Sequence, residues 1–83
     1  MRLKELPNIG PVLEKNLRAV GVETPQCLRE IGACEAFLRI RTQVDPTACF
    51  HQLTALAGAE LGVRKTALPP EKKAALRKFF DSL

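Results

Sequence analysis

The stretch Leu6-Pro7-Asn8-Ile9-Gly10-Pro11-Val12-Leu13-Glu14-Lys15-Asn16-Leu17-Arg18-Ala19-Val20-Gly21-Val22 decides the fold. It spells a tight turn, one helix and a glycine stop. Pro7 lacks an N–H and restricts the residue before it, so whatever begins at the N-terminus ends by Leu6. Gly10 is expected to take backbone angles that side chains disfavour. Pro11 suits the first helical position, where a missing N–H costs nothing. Leu13, Leu17 and Val20 then share one face of a helix running from Pro11 to Val20. Gly21 supplies a left-handed stop, and Val22 folds back onto Leu17 as its apolar clasp.

The same punctuation recurs on both sides. Arg2 to Leu6 suits a short helix that must dock on its neighbours to persist. Thr24 is a good N-cap and Pro25 a good first position, with Leu28 and Ile31 apolar and Gly32 the stop. Ala33 to about Gln43 forms the next helix, its row Ala33, Phe37, Ile40 and Val44 flanked by Ala36. Arg39 and Arg41 lie off that row and read as a solvated face. Asp45-Pro46 repeats the start signal, so a helix is predicted from Pro46 to about Leu61. It carries Cys49, Phe50, Leu53, Leu56, Ala57 and Leu61 over more than half its circumference, which makes it the central helix. Gly58 in its interior points to a close neighbour. Gly62 ends it, Val63 to Leu68 connects, and Pro69-Pro70-Glu71 opens a last helix with Leu76, Phe79, Phe80 and Leu83 as its stripe. No alternating apolar run argues for a strand. The fold is therefore all-α, a compact bundle of about five short helices forming one domain over residues 1–83.

A chain of 83 residues buries about 60% of its unfolded surface, so the core is small. A hydrophobic fraction of 46% suffices for it. No apolar run approaches the roughly 18 residues of a membrane span, and no secretory signal follows Met1. A soluble cytoplasmic protein with no membrane partner is the expectation. Cys27, Cys34 and Cys49 are odd in number and form no CxxC pair, which fits a reducing compartment. Their spacing to His51, the one histidine, matches no zinc site, and His51 has no acid, Ser or Cys partner at a useful spacing. No cofactor, metal or catalytic constellation is expected, and the chain reads as a binding module rather than an enzyme. The net charge of +4 is compatible with a polyanionic partner.

The opening turn resembles a helix-hairpin-helix element, in which a Pro- and Gly-bearing turn joins two short helices and often grips a phosphate. A wider set stands in register: Leu6-Pro7-Asn8-Ile9-Gly10, Gly21-Val22-Glu23-Thr24-Pro25, Leu28, Gly32-Ala33, Ala36-Phe37-Leu38-Arg39, Leu53, Ala55-Leu56, Gly58-Ala59, Gly62 and Leu68-Pro69. Together these are similar to the C-terminal domain of the TfoX/Sxy family, bacterial regulators of DNA-uptake competence. The resemblance runs from about Leu6 to the last helix. It implies a helix-hairpin-helix-like or SAM-like bundle and a role in regulating competence-gene expression beside a transcription factor or RNA polymerase. The family's N-terminal domain has no counterpart in these residues, so the sequence reads either as a stand-alone member or as a fragment of a longer chain of this type, with Met1 favouring the first.

The first candidate function is contact with a DNA phosphate backbone through the hairpin, with Asn8, Ile9, Gly10, Val12, Leu13, Lys15 and Arg18 as the site. The warrant is the free N–H groups of Gly10, Val12 and Leu13 at a helix start, with Lys15 and Arg18 one turn on. Such contacts are sequence-tolerant and salt-sensitive. The chain departs from a typical DNA-binding hairpin at Asn8, which stands for a loop glycine, and at Val12, where a basic residue is common. Glu14 in the first turn competes for the positive helix end. The alternative is a protein-interaction adaptor that uses the same exposed helix ends on a transcription-related protein. A third surface, Lys72, Lys73, Arg77 and Lys78, reads as solubilising charge.

Overall fold

The computed structural model describes residues 2–83. Five helices follow a 3-10 turn at Leu3–Glu5: α1 (Pro11–Ala19), α2 (Pro25–Ile31), α3 (Ala33–Gln43), α4 (Phe50–Leu61) and α5 (Pro70–Asp81). A second 3-10 turn, Lys65–Ala67, precedes α5, and no strand occurs among the described residues. The molecule is an all-α bundle measuring 28 × 25 × 20 Å.

α4 runs through the middle. Leu53 to Ala59 are all buried, so every face of about two consecutive turns meets protein. Leu53 and Leu56 join Leu3, Leu17, Val22, Leu28, Phe37 and Ile40 in the fully enclosed core. Gly58 permits the closest approach. A Cβ there would lie 2.5 Å from Asn8 Nδ2, 2.6 Å from the Val63 carbonyl oxygen and 3.2 Å from the Lys65 nitrogen. Two of those atoms are backbone, so the loop 63–65 sits where it does because residue 58 has no side chain.

The glycine stops work through the expected bonds. Gly21 (φ 85°) donates to the Arg18 carbonyl and Val22 to the Leu17 carbonyl, at 3.1 and 2.9 Å. Gly62 (φ 76°) and Val63 repeat this on Ala59 and Gly58. These are Schellman closures, each satisfying carbonyls that a helix end leaves open. Thr24 caps α2 by accepting from the Cys27 N–H at 3.1 Å.

Several expectations are corrected. Gly10 has an extended backbone (φ −97°, ψ −177°), and the left-handed residue of the turn is Asn8 at φ 69°. α1 ends at Ala19 rather than Val20. α4 starts at Phe50 rather than Pro46. The Asp45 carboxylate caps no helix; it accepts from the Thr47 N–H at 2.9 Å and the Thr47 hydroxyl at 2.5 Å. That Asx turn spends the capping oxygen two residues on and leaves Cys49 exposed at the true N-cap. Val44 leaves helical geometry (ψ −54° at φ −121°), which turns it off the α3 row and leaves it 39% exposed. Leu61, the last residue of α4, is 51% exposed. Leu83 lies beyond the end of α5 and is exposed, so the stripe stops at Phe80.

Arg41 does not sit on a purely solvated face. Its guanidinium carbon lies 5.6 Å from the centre of the Phe80 ring. Phe80 meets Phe50 edge-on at 5.6 Å and Phe37 at 6.0 Å, and Arg77 lies over both Phe50 and Phe80. This aromatic and cationic cluster docks α5, whose only buried residue is Leu76, onto α3 and α4. Arg39 pairs with Glu35 at 2.9 Å.

Candidate nucleic-acid interface

The hairpin is fixed by one side chain. Asn8 donates from Nδ2 to the carbonyls of Ala55 (3.3 Å) and Val63 (3.0 Å), and its Oδ1 accepts from the Lys65 N–H at 3.1 Å. The amide of Asn8 therefore staples the turn to α4 and to the loop behind it. It is spent on the scaffold and offers nothing outward. Ile9 and Leu13 are buried in the core at 7% and 9% exposure. Of the predicted site residues, Gly10, Val12, Lys15 and Arg18 reach the surface.

At the start of α1, Glu14 donates its N–H to the Gly10 carbonyl at 2.9 Å. The N–H groups of Val12 and Leu13 have no acceptor among the described residues. Glu14 does not fold back over them. Its carboxylate lies 4.0 Å from Arg18, one turn along, and is the more covered of the two. An open groove of about 310 Å³ runs beside this start, lined by Gly10, Pro11, Val12, Leu13, Asn16 and Gln52. It contains no charged side chain, and Val12 stands 71% exposed at its edge. Gln52 Oε1 is buried there with no partner among the described residues. The surface around Gly10 is thus neither a basic concavity nor a site plugged by Glu14.

Behind α4 the lining changes character. Phe50, His51, Thr54, Lys65, Thr66 and Lys73 line a second open cavity of about 310 Å³. Thr54 donates its hydroxyl to the His51 carbonyl at 2.9 Å, which steadies the first turn of α4. Lys65 arrives through the Asn8 staple and Lys73 through the docking of α5. Residues 51, 65, 66 and 73 have no common spacing in the sequence, so only the fold brings them together. Glu60 was also silent as sequence: its Oε1 accepts from the Ala33 N–H at 2.7 Å and caps α3 from a different helix.

Two groups titrate away from their ordinary range. The Asp45 carboxyl is held low, first by the Thr47 hydroxyl, then by the Thr47 N–H, with a smaller contribution from the Gln52 side chain against some desolvation. The half-buried Cys34 thiol is pushed up, chiefly by burial and slightly by Glu60, with Lys72 opposing. Among the described residues no three His, Cys, Asp or Glu side chains cluster as metal ligands. Among the described residues no helix is long and apolar enough to cross a membrane.

Comparison with known proteins places this architecture. The model of the TfoX C-terminal domain matches residues 1–80. Protein Sxy of Escherichia coli (strain K12) is 38% identical over 82 residues, which cover 99% of this chain and 39% of Sxy. DNA transformation protein TfoX1 of Aliivibrio fischeri is 35% identical over 75 residues, covering 90% of this chain and 36% of TfoX1. The chain thus spans about two fifths of these relatives. An uncharacterized protein from Listeria monocytogenes, solved in a triclinic crystal, superposes with a TM-score of 0.96 at 46% identity over 99% of this chain and 92% of that one. A tetragonal crystal structure of a Listeria monocytogenes protein of unknown function gives 0.93 at 48% identity, covering 96% of each chain.

Proposed function

The chain belongs to the TfoX C-terminal domain family, and on that premise we propose that it is a non-enzymatic regulatory module acting in competence for DNA transformation. Its relatives include Sxy and a DNA transformation protein, and the name of the latter supports this assignment. The module works by docking a macromolecule at the start of α1. The observation that carries this is the open first turn: Val12 and Leu13 present unaccepted N–H groups, and Glu14 is drawn off along the helix by Arg18. A phosphate of a nucleic-acid backbone suits that end, with the exposed Lys15, which has no ion pair among the described residues, as a nearby cation. Duplex binding over a salt series tests it. Affinity should fall steeply with salt, and Lys15→Ala with Arg18→Ala should reduce the log–log slope by up to about 2. Absence of binding at low salt rejects the contact.

A second reading is favoured by the groove itself. Its lining is uncharged and largely apolar, with Val12 at the rim, and that suits a side chain of a transcription-related protein better than a phosphate. Val12→Asp separates the two. It adds one negative charge beside the helix start, so it lowers duplex affinity while leaving a salt slope; a protein partner captured from nuclease-treated lysate is lost outright.

A further inference from the structure

We propose that the cavity at the start of α4 binds a phosphate group, held by Lys65 and Lys73 with Thr66 and His51. This site is distinct from the α1 groove and does not depend on the reading given for it. The cavity volume of about 310 Å³ is roughly that of ten waters, ample for one phosphate with part of its hydration shell. Its lining residues include two lysines, a histidine and two threonines, with no acidic residue. Neither lysine takes part in an ion pair among the described residues. An anion seated there is attracted by both lysines.

The helix adds to this field. Phe50 and His51, the first two residues of the 12-residue α4, line the cavity, and their N–H groups have no acceptor among the described residues. The first turn of α4 holds no acidic residue and its N-cap makes no side-chain bond. The backbone that carries the cations is fixed in advance. The Lys65 N–H is bonded to Asn8, and α5 is tied to Phe50 through Phe80. Only the lysine side chains need to settle on binding, which keeps the ordering cost low.

Titration with inorganic phosphate, against chloride at matched ionic strength, tests the site by amide chemical shifts. Phe50, His51 and Thr66 should move and saturate. Lys65→Ala with Lys73→Ala should raise the half-saturation concentration more than about tenfold, since two charge-assisted contacts are lost. Lys4→Ala with Lys78→Ala makes the same change in net charge at exposed positions outside the cavity and should leave it within about twofold. All four side chains are exposed, so both double variants retain the fold. A short DNA duplex and a nucleoside monophosphate identify the source: competition by the duplex assigns a nucleic-acid backbone, and competition by the monophosphate alone assigns a small phosphorylated ligand. Shifts that fail to saturate overturn the site, as does equal weakening in both double variants. Either failure leaves duplex binding dependent on Lys15 and Arg18 intact as a separate result.

Discussion

The start of α1 and the start of α4 lie on either side of one helical turn, with Gln52 lining the groove at the first and His51 the cavity at the second. Both leave backbone N–H groups without acceptors. At α1 the nearest charge is an acid, Glu14, and the walls are uncharged. At α4 there is no acid in the first turn, and two lysines come in from elsewhere in the chain. The helix that looks like a phosphate binder by its hairpin is poor in cations at its mouth. The helix with no such signature is supplied with them by tertiary structure. Helix ends provide a modest field, and the side chains that other elements bring decide what it is used for.

The staple between the two regions is where the contrast breaks most easily. Asn8→Ala removes three hydrogen bonds and forces a Cβ-bearing apolar residue into left-handed geometry, for a combined loss of about 3 kcal/mol. That is a large share of the roughly 4–12 kcal/mol expected for a domain of this size. Asn8→Gly keeps the angle and loses the bonds, so it should recover about 1 kcal/mol of the deficit. Urea midpoints of the pair separate the two causes, and equal midpoints would show that the backbone angle costs nothing. Gly58→Ala follows at about 2 kcal/mol, because its Cβ must push the backbone of Val63 away. It should also displace Lys65 and weaken any phosphate shift at His51 while leaving the amides of Val12 unmoved. A Gly58→Ala protein with native stability would mean that the loop yields freely.

A smaller effect sharpens the α1 side. Glu14→Gln removes the acid from the first turn and frees Arg18. Stability should fall by about 0.5 kcal/mol, through the lost helix-end interaction and an exposed i,i+4 pair. If the α1 start touches a nucleic-acid backbone, duplex affinity rises several-fold in the same variant, since one negative charge leaves the first turn and Arg18 is released from its pair. Unchanged affinity in a binding-competent protein would place the contact elsewhere, with the α4 cavity next in line.

What the sequence makes legible here is what nearest neighbours decide. The Thr24-Pro25 start, the Gly21 and Gly62 stops and the apolar rows of α1 and α3 depend on atoms within a turn or two. Gly58 also reads correctly, since a glycine inside a helix is hard to explain without a close neighbour. The turn itself is misread because Asn and Gly both tolerate positive φ. What selects Asn8 is a pair of carbonyls 47 and 55 positions away. Asp45 is misread because one carboxylate serves equally as a helix cap or an Asx turn, and Pro46 fits either. Glu60 capping α3 and the joining of His51 with Lys65 and Lys73 leave no local trace at all. The family resemblance carries the fold well for this reason: it encodes those distant pairings, and composition does not.

The least of the expected effects belongs to Asp45, and its sign follows from hydrogen bonding. The bonds from Thr47 favour the charged carboxylate, so its folded pKa lies below the unfolded value of about 4. Its contribution to stability is therefore present above pH ~4 and is lost as pH falls through the folded value. Asp45→Asn keeps the turn geometry but cannot titrate. The variant should be slightly less stable than the parent at pH 7, and the gap should shrink as pH falls below ~4 and close below the folded value, as read from urea midpoints at each pH. A constant gap from neutral to acid would mean that shape, not charge, holds this turn. The position of the shift also bears on the two helix starts. Gln52 contributes weakly to holding the Asp45 carboxyl low and lines the α1 groove, so acid should move the Gln52 side-chain amide in the parent protein and not in the variant. His51 and Thr66 carry no link to Asp45, so any response they make to acid should be the same in both proteins.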